Sequence, residues 1–345
     1  MSLTARFLCL LLFIPLIGSN SAPAQARNVP LVTGRYKYLP AKVPVGLTLI
    51  TDSRFTVKHR PANYGLRHLS SRSLTNSISA RSAMVMDAVS GDIIYTINPD
   101  LPRQPASTIK VLNGIISIDS LRKNDLVPVS RRAAGMPRSK IYLRPGHKYR
   151  AGDLINAMLL ASANDASVAL AEKIGGTERT FAKLMTARAR SLGATHTVCK
   201  SASGLTRRGQ YTTARDLAKI FNYAMRNPIF ARTMERTKIR TSYGKIIRSH
   251  NRALWQVKGA EGGKTGYTYL ARQTYVGSFK RGNDELVVAI MGSETMWNDL
   301  KKLVRFGFAK KARTRRTLAL TRRPKSFKLV QLGGRDTLAH FTTVQ

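Results

Sequence analysis

Pro105-Ala106-Ser107-Thr108-Ile109-Lys110-Val111-Leu112-Asn113-Gly114-Ile115-Ile116 is the stretch on which the reading of this chain turns. Proline suits the first turn of a helix because it has no N–H to leave unpaired. Ile109, Leu112, Ile115 and Ile116 then recur at the spacing of a buried helix. Ser107 and Lys110 stand three apart, so they share one face of that helix. A serine hydroxyl is a poor nucleophile until a neighbouring base takes its proton. Ile109, Val111 and Leu112 surround Lys110 in sequence, and burial penalises an ammonium, lowering its pKa toward the range of a useful base. The positive end of the helix dipole favours Ser107 further.

Ser-x-x-Lys is weak evidence alone, and it occurs three times: Ser107–Lys110, Ser120–Lys123 and Ser242–Lys245. Only the first combines a helix start with apolar surroundings. The second falls toward the polar end of the same helix, and the third contains Gly244 in a region that reads as strand and turn. No histidine has a persuasive partner pattern, and the six of them show neither His-Glu-x-x-His nor Cys/His ligand spacing, so no zinc site is expected.

Two further elements follow in order. Ser162-Ala163-Asn164 falls in the break between two helical patterns, where a hydroxyl could relay a proton and an amide could hold a carbonyl. Standing alone it reads more readily as a helix cap. Ser249-His250-Asn251 has the same form but lies too near the third element to leave room for a helical lobe. Lys264-Thr265-Gly266 occurs once, before a strand. A cation and a hydroxyl on a sheet edge suit a peptide's terminal carboxylate, and Gly266 lets a substrate backbone come close. A glycine-rich turn entering a strand is the plainer alternative.

The elements around these motifs give an α+β chain: an antiparallel sheet flanked by helices, with an inserted helical lobe. Strands are expected at Ser82–Ala88 and Asp92–Asn98, then helices at Asp153–Ala161, Ala166–Ile174, Thr180–Leu192 and Thr213–Arg226. Strands return at Tyr267–Phe279 and Glu285–Met291, and Thr295–Phe308 closes as an amphipathic helix. The expected organisation is a signal over 1–26, a basic and mostly irregular extension over 27–80, the main domain over 81–310 and a basic tail over 311–345.

Arg6, the apolar run Phe7–Ile17 and Ala24-Gln25-Ala26 make the pattern of a secretory signal, with cleavage expected after Ala26. The run is short for a membrane span, and Cys9 has no lipobox-like context. Removing the signal leaves Cys199 as the single cysteine, a small buried hydrophobe that cannot form an internal disulfide. The net charge of +40 is concentrated at the ends, with nine Lys/Arg against Asp52 over 27–80 and thirteen against Asp336 over 301–345. Such charge suggests a polyanion partner, and export to the periplasm or cell envelope replaces nucleic acid with anionic wall polymers or lipids; a base-rich background that only confers solubility is the equal alternative, so the charge does not decide the function.

Ser-x-x-Lys, Ser-x-Asn and Lys-Thr-Gly in this order are the set shared by penicillin-binding proteins and β-lactamases. With Pro105-Ala106 before the serine, Asn164-Asp165-Ala166, Ser203-Gly204-Leu205 and Gly263-Lys264-Thr265-Gly266-Tyr267-Thr268, the chain resembles the low-molecular-mass penicillin-binding proteins that are serine D-alanyl-D-alanine carboxypeptidases. The resemblance implies that Ser107 is acylated, Lys110 is general base and Ser162 passes the proton to leaving D-alanine. It implies that Asn164 orients a substrate carbonyl, Lys264 and Thr265 bind the carboxylate, and the N–H groups of Ser107 and Tyr267 form an oxyanion hole. Peptidoglycan stem peptides and covalent β-lactams are the implied partners, and no metal or organic cofactor is implied. Ala163 and Arg272 stand where such enzymes usually have glycine, Arg272 putting a large cation near the substrate strand. A D,D-endopeptidase would use the same machinery, and a catalytically dead polyanion-binding protein is the non-enzyme alternative. A β-lactamase is disfavoured, since no acid between Asp165 and Lys264 has the loop setting that activates its water.

Overall fold

The computed structural model describes residues 47–49, 70–321 and 329–331. The expected signal over 1–26 lies outside the described residues, as does most of the basic extension. Two units are distinguished. In the first, Leu47–Leu49 pairs antiparallel with Leu329–Gln331. The second carries all the motifs.

Its frame is a five-stranded antiparallel sheet of β1 (Ser82–Asp87), β2 (Ile93–Ile97), β3 (Ala260–Thr268), β4 (Arg272–Arg281) and β5 (Asp284–Ser293), in the spatial order β2-β1-β5-β4-β3. Leu286–Met291 of β5 is an unbroken apolar run because both faces of the sheet are covered. Successive side chains alternate between faces. Leu286, Val288 and Ile290 enter one core with Leu300, Leu303 and Val304 of the helix Met296–Thr321. Val287, Ala289 and Met291 enter the other, formed with the helical lobe. Each fully buried aliphatic side chain contributes about 1.5–3 kcal/mol relative to exposure.

The lobe is inserted between β2 and β3. At its centre the helix Lys110–Ser120 is buried along nearly its whole length, and a Cβ on Gly114 would come within 2.9 Å of Leu159 on the neighbouring helix Ala151–Leu160. Helices Asn164–Gly175, Glu178–Ser191 and Ala214–Met225 complete it, close to the expected positions. Thr213 caps the last of these by accepting from Asp216 N at 3.1 Å. Cys199 is buried, and burial pushes its thiol up to about 12.

Several boundaries differ from expectation. Tyr267–Phe279 is not one strand: β3 begins earlier, at Ala260, and turns after Thr268 into β4. Tyr269 and Leu270 carry no turn signal, so the reversal is invisible in composition. The helix at Pro105 opens as a 3₁₀ turn over Ala106–Ile109 before its α-helical part. Asn227-Pro228, which ends one helix, also starts another over Pro228–Met234, with the Asn227 side chain accepting from Ile229 N and Phe230 N. The last helix runs to Thr321, well past Phe308. Lys310 donates to Ile94 O at 2.6 Å, Lys311 pairs with Asp87, and Arg315 with Asp284 at 2.8 Å. A tail drawn from residue 311 therefore begins inside a docked helix.

The folded body likewise starts before Arg81. Ser70 caps the short helix Ser71–Thr75 by accepting from Ser73 N at 3.1 Å, and its Leu74 is fully buried. Ser79 donates its hydroxyl to buried Asp299 at 2.8 Å. Leu74→Ala should therefore cost about 2–4 kcal/mol, the range of a buried leucine, seen as a fall of several degrees in thermal unfolding. An unchanged midpoint would place Leu74 outside the cooperative core.

Candidate active site

The sequence folds so that a strained turn presents Ser107. Ala106 takes a φ of 49°, a left-handed conformation that a non-glycine residue adopts only when its surroundings impose it. Two groups impose it here. Pro105 O accepts from Thr108 Oγ1 at 2.6 Å and from Thr274 Oγ1, on β4, at 3.0 Å. Gly204 packs so close that a Cβ there would fall 1.9 Å from Ala106 O. Ser107 is left half-buried, and Lys110, one turn on, is fully buried.

Lys110 Nζ lies 2.8 Å from Ser107 Oγ, 2.8 Å from Asn164 Oδ1 and 2.6 Å from Ser203 O. Its pKa is pushed well below the usual lysine value, first by burial and then by the charge of Lys264, with Asp165 opposing. A neutral amine has two N–H groups and one lone pair. Asn164 Oδ1 and Ser203 O can only accept, so they take both N–H groups and aim the lone pair at the Ser107 hydroxyl.

Ser162 and Lys264 form a second pair beside the first. Lys264 is fully buried on β3 and donates to Ser162 Oγ at 3.0 Å and Thr265 O at 2.9 Å. Burial lowers its pKa to about 7. Ser162 itself sits at a φ of 59° between two helices, so neither helix claims its side chain as a cap. Gly266 lies against the nucleophile, for a Cβ on it would meet Ser107 N at 2.7 Å. Thr265 is half-buried and Tyr267 is exposed at the rim. The structure thus brings Ser107, Lys110, Ser162, Asn164, Lys264, Thr265 and Gly266 into one cleft between the lobe and the β3 edge.

Asn164 differs from its expected part. Its oxygen accepts from Lys110, while its nitrogen donates to Pro137 O and Arg138 O, each at 3.0 Å. Both donors are engaged within the protein, so here it orients the lysine and ties down the 137–138 segment. Arg272, at a φ of 57°, turns to Glu294 in a 3.0 Å ion pair and stacks on Tyr269, so its charge is partly answered.

Sequence reasoning missed two participants, Ser203 and His250. Ser203 contributes only a backbone carbonyl, which no residue type announces. Its loop is held by Glu178, accepting from Ala202 N at 3.0 Å, and by Gln210, accepting from Ser201 N at 3.1 Å. His250 belongs to the site's surroundings: its backbone N donates to Leu160 O at 3.0 Å, and partial burial together with the Lys264 and Lys110 charges lowers its pKa. The Ser249-His250-Asn251 segment was the one available signal for it.

A serine paired with a buried lysine, backed by a second serine–lysine pair on a sheet edge, defines a serine–lysine acyl-transfer hydrolase on a penicillin-binding fold. The chain belongs to peptidase family S11, described as D-alanyl-D-alanine carboxypeptidase, whose sequence profile matches residues 69–295. It is 38% identical over 241 residues to D-alanyl-D-alanine carboxypeptidase DacB2 of Mycobacterium tuberculosis, covering 67% of this chain and 82% of that protein. Other curated relatives are longer, and the chain spans 58% of DacF of Bacillus subtilis. A crystal structure of a D-alanyl-D-alanine carboxypeptidase from Mycobacterium tuberculosis superposes with a TM-score of 0.64 at 34% identity, covering 67% of this chain and 91% of that one. Penicillin-binding protein D2 of Listeria monocytogenes in its ampicillin-bound form gives a TM-score of 0.62 at 27% identity, covering 67% and 98%. The chain is a hydrolase of the serine D,D-carboxypeptidase type.

Lys110→Ala should abolish covalent labelling by a fluorescent penicillin while the far-UV spectrum stays native, since the change removes a buried side chain and its amine but no backbone hydrogen bond of the helix. Labelling at the wild-type rate would remove Lys110 from the chemistry.

Proposed function

We propose that this enzyme trims the terminal D-alanine from peptidoglycan stem peptides through an acyl-enzyme on Ser107. The observation that carries the reading is the 2.8 Å approach of a buried, pKa-depressed Lys110 amine to the Ser107 hydroxyl. Lys110 accepts the Ser107 proton as Oγ attacks the carbonyl of the penultimate D-alanine. The N–H groups of Ser107 and Tyr267 receive the negative charge that develops on the carbonyl oxygen. As the C–N bond breaks, the proton reaches the departing amine through Ser162, which lies between the two lysines in function. Water then enters, loses a proton to the same base and releases the shortened peptide.

The leaving D-alanine carries the substrate's terminal carboxylate. Lys264 and the Thr265 hydroxyl are suited to it, the lysine as a charge behind Ser162 and the threonine as a direct donor on the edge of β3. A β-lactam enters the same chemistry, its strained amide acylating Ser107. The extended substrate would lie along β3 as an added strand, using main-chain hydrogen bonds for affinity.

The enzyme acts in the cell envelope, where its substrate is. No helix among the described residues is long and apolar enough to cross a membrane. The basic ends of the chain suit anionic wall polymers or lipids.

Endopeptidase action on crosslinks needs the same catalytic groups and a cleft open at both ends. Incubation with purified muropeptide monomers and crosslinked dimers separates the two outcomes. Free D-alanine from pentapeptide monomers, with dimers left intact, is the expected product pattern. Split dimers without released D-alanine would reverse the assignment.

A further inference from the structure

On the helical lobe a groove of about 530 Å³ opens between the paired strands Leu126–Pro128 and Lys148–Arg150 and the 242–245 turn of the hairpin Lys238–Arg240 with Ile246–Arg248. The chemistry so far leaves it unused. Three tyrosines line it. Tyr149 and Tyr243 meet edge to face with centroids 5.1 Å apart, and Tyr142 stands 57% exposed. Tyr142 also has a φ of 60°, an unfavourable conformation for a bulky side chain. Asp165 imposes it by accepting from the N–H groups on either side, Ile141 at 3.0 Å and Leu143 at 3.1 Å. The ring is thereby held at the surface rather than folded inward.

Cations surround these rings. Arg144, Lys148, Arg150 and Lys245 line the groove together with the His147 ring, and no carboxylate does. The ammonium groups of Lys140 and Lys245 each lie 5.5 Å from the Tyr142 ring. The two nearby acids are turned to other tasks: Asp165 holds the 141–143 backbone, and Asp153 accepts from Ser242 N at 3.1 Å and from its hydroxyl. An exposed aromatic cluster of this kind on a soluble surface marks a contact site, and the ring of positive charge sets the sign of what it contacts.

Its position joins it to the catalytic cleft. The segment 137–143 has two faces of use. Pro137 O and Arg138 O bind Asn164, which also binds Lys110, and Ser139 O accepts from Asn164 N at 2.7 Å. Three residues after Ser139 the same segment carries Tyr142 into the groove. Asn164 and Asp165 are consecutive, so one turn of one helix anchors the wall of both.

We infer that this groove is a second binding site, holding a carboxylate-bearing glycan strand of the wall polymer while a stem peptide occupies the cleft. Aromatic faces stack on the apolar faces of sugar rings, and the cations meet the carboxylates of neighbouring stems. A concavity of about 530 Å³ suits a single strand. This inference rests on the D,D-peptidase reading for its choice of polymer, but its test does not depend on catalysis.

The test uses full-length protein and soluble, uncrosslinked glycan strands whose stems already lack the terminal D-alanine, so that the cleft has nothing to cleave. Binding is measured by fluorescence titration for the wild type, Tyr142→Ala, and Tyr142→Ala combined with Arg144→Ala. Penicillin labelling of each variant monitors the fold and the catalytic centre. The expected result is a weakening of strand affinity by about tenfold or more in the double variant, with labelling preserved. Binding to phosphatidylglycerol vesicles should be unchanged. Wild-type affinity for strands in the double variant would overturn the inference, as would an equal loss on strands and on vesicles. Should the wild type bind strands but hydrolyse no D-Ala-D-Ala peptide, the peptidase reading fails while the groove stands.

Discussion

A lysine amine kept out of water is the constraint on which this structure depends. Carrying a charge into a fully apolar site is costly, and a buried lysine answers by losing its proton. Lys110 is held there by the core of the lobe around Val111, Leu112 and Ile115. The three polar atoms within reach of Nζ match the valence of a neutral amine, two acceptors and one hydroxyl. A second lysine nearby raises the cost of protonation, so Lys264 supports the base electrostatically without touching the nucleophile.

Much of the remaining architecture serves that geometry. The two-faced sheet anchors the Pro105 turn through Thr274 and supplies the β3 edge. Asn113 donates to Ser167 O and Ala202 O, pinning the start of one helix and the Ser203 loop to the lysine's own helix. Gly204 and Gly266 are small because backbone passes where a side chain would stand: one against Ala106 O, the other against Ser107 N. The strain at Ala106 and Ser162 is tolerated because packed neighbours fix both turns.

Much of this was legible in the sequence. The Ser107–Lys110 pair, the order of the three motifs and the helix and strand patterns carried both the fold class and most of the cleft, because those features are local or depend on residue type. What escaped was of another kind. Ser203 acts through a carbonyl common to every residue. The part played by Asn164 depends on where the 137–138 loop comes to rest, a contact across more than twenty positions. The β3–β4 reversal has no glycine or proline to mark it. The docking of the last helix beyond Phe308 draws on Lys311 and Arg315 finding Asp87 and Asp284, and in sequence these are merely part of a cationic run.

The central claim is that Lys110 is an uncharged amine at neutral pH in the resting enzyme. Its Nζ protonation can be followed directly by NMR of ¹⁵N-lysine-labelled protein, with Lys110→Arg used to assign the resonance. The account predicts a neutral-amine shift for Lys110 at pH 7, with protonation only on acidification. Lys264 should titrate near 7. A Lys110 resonance that stays in its ammonium form until pH 10 would contradict the account.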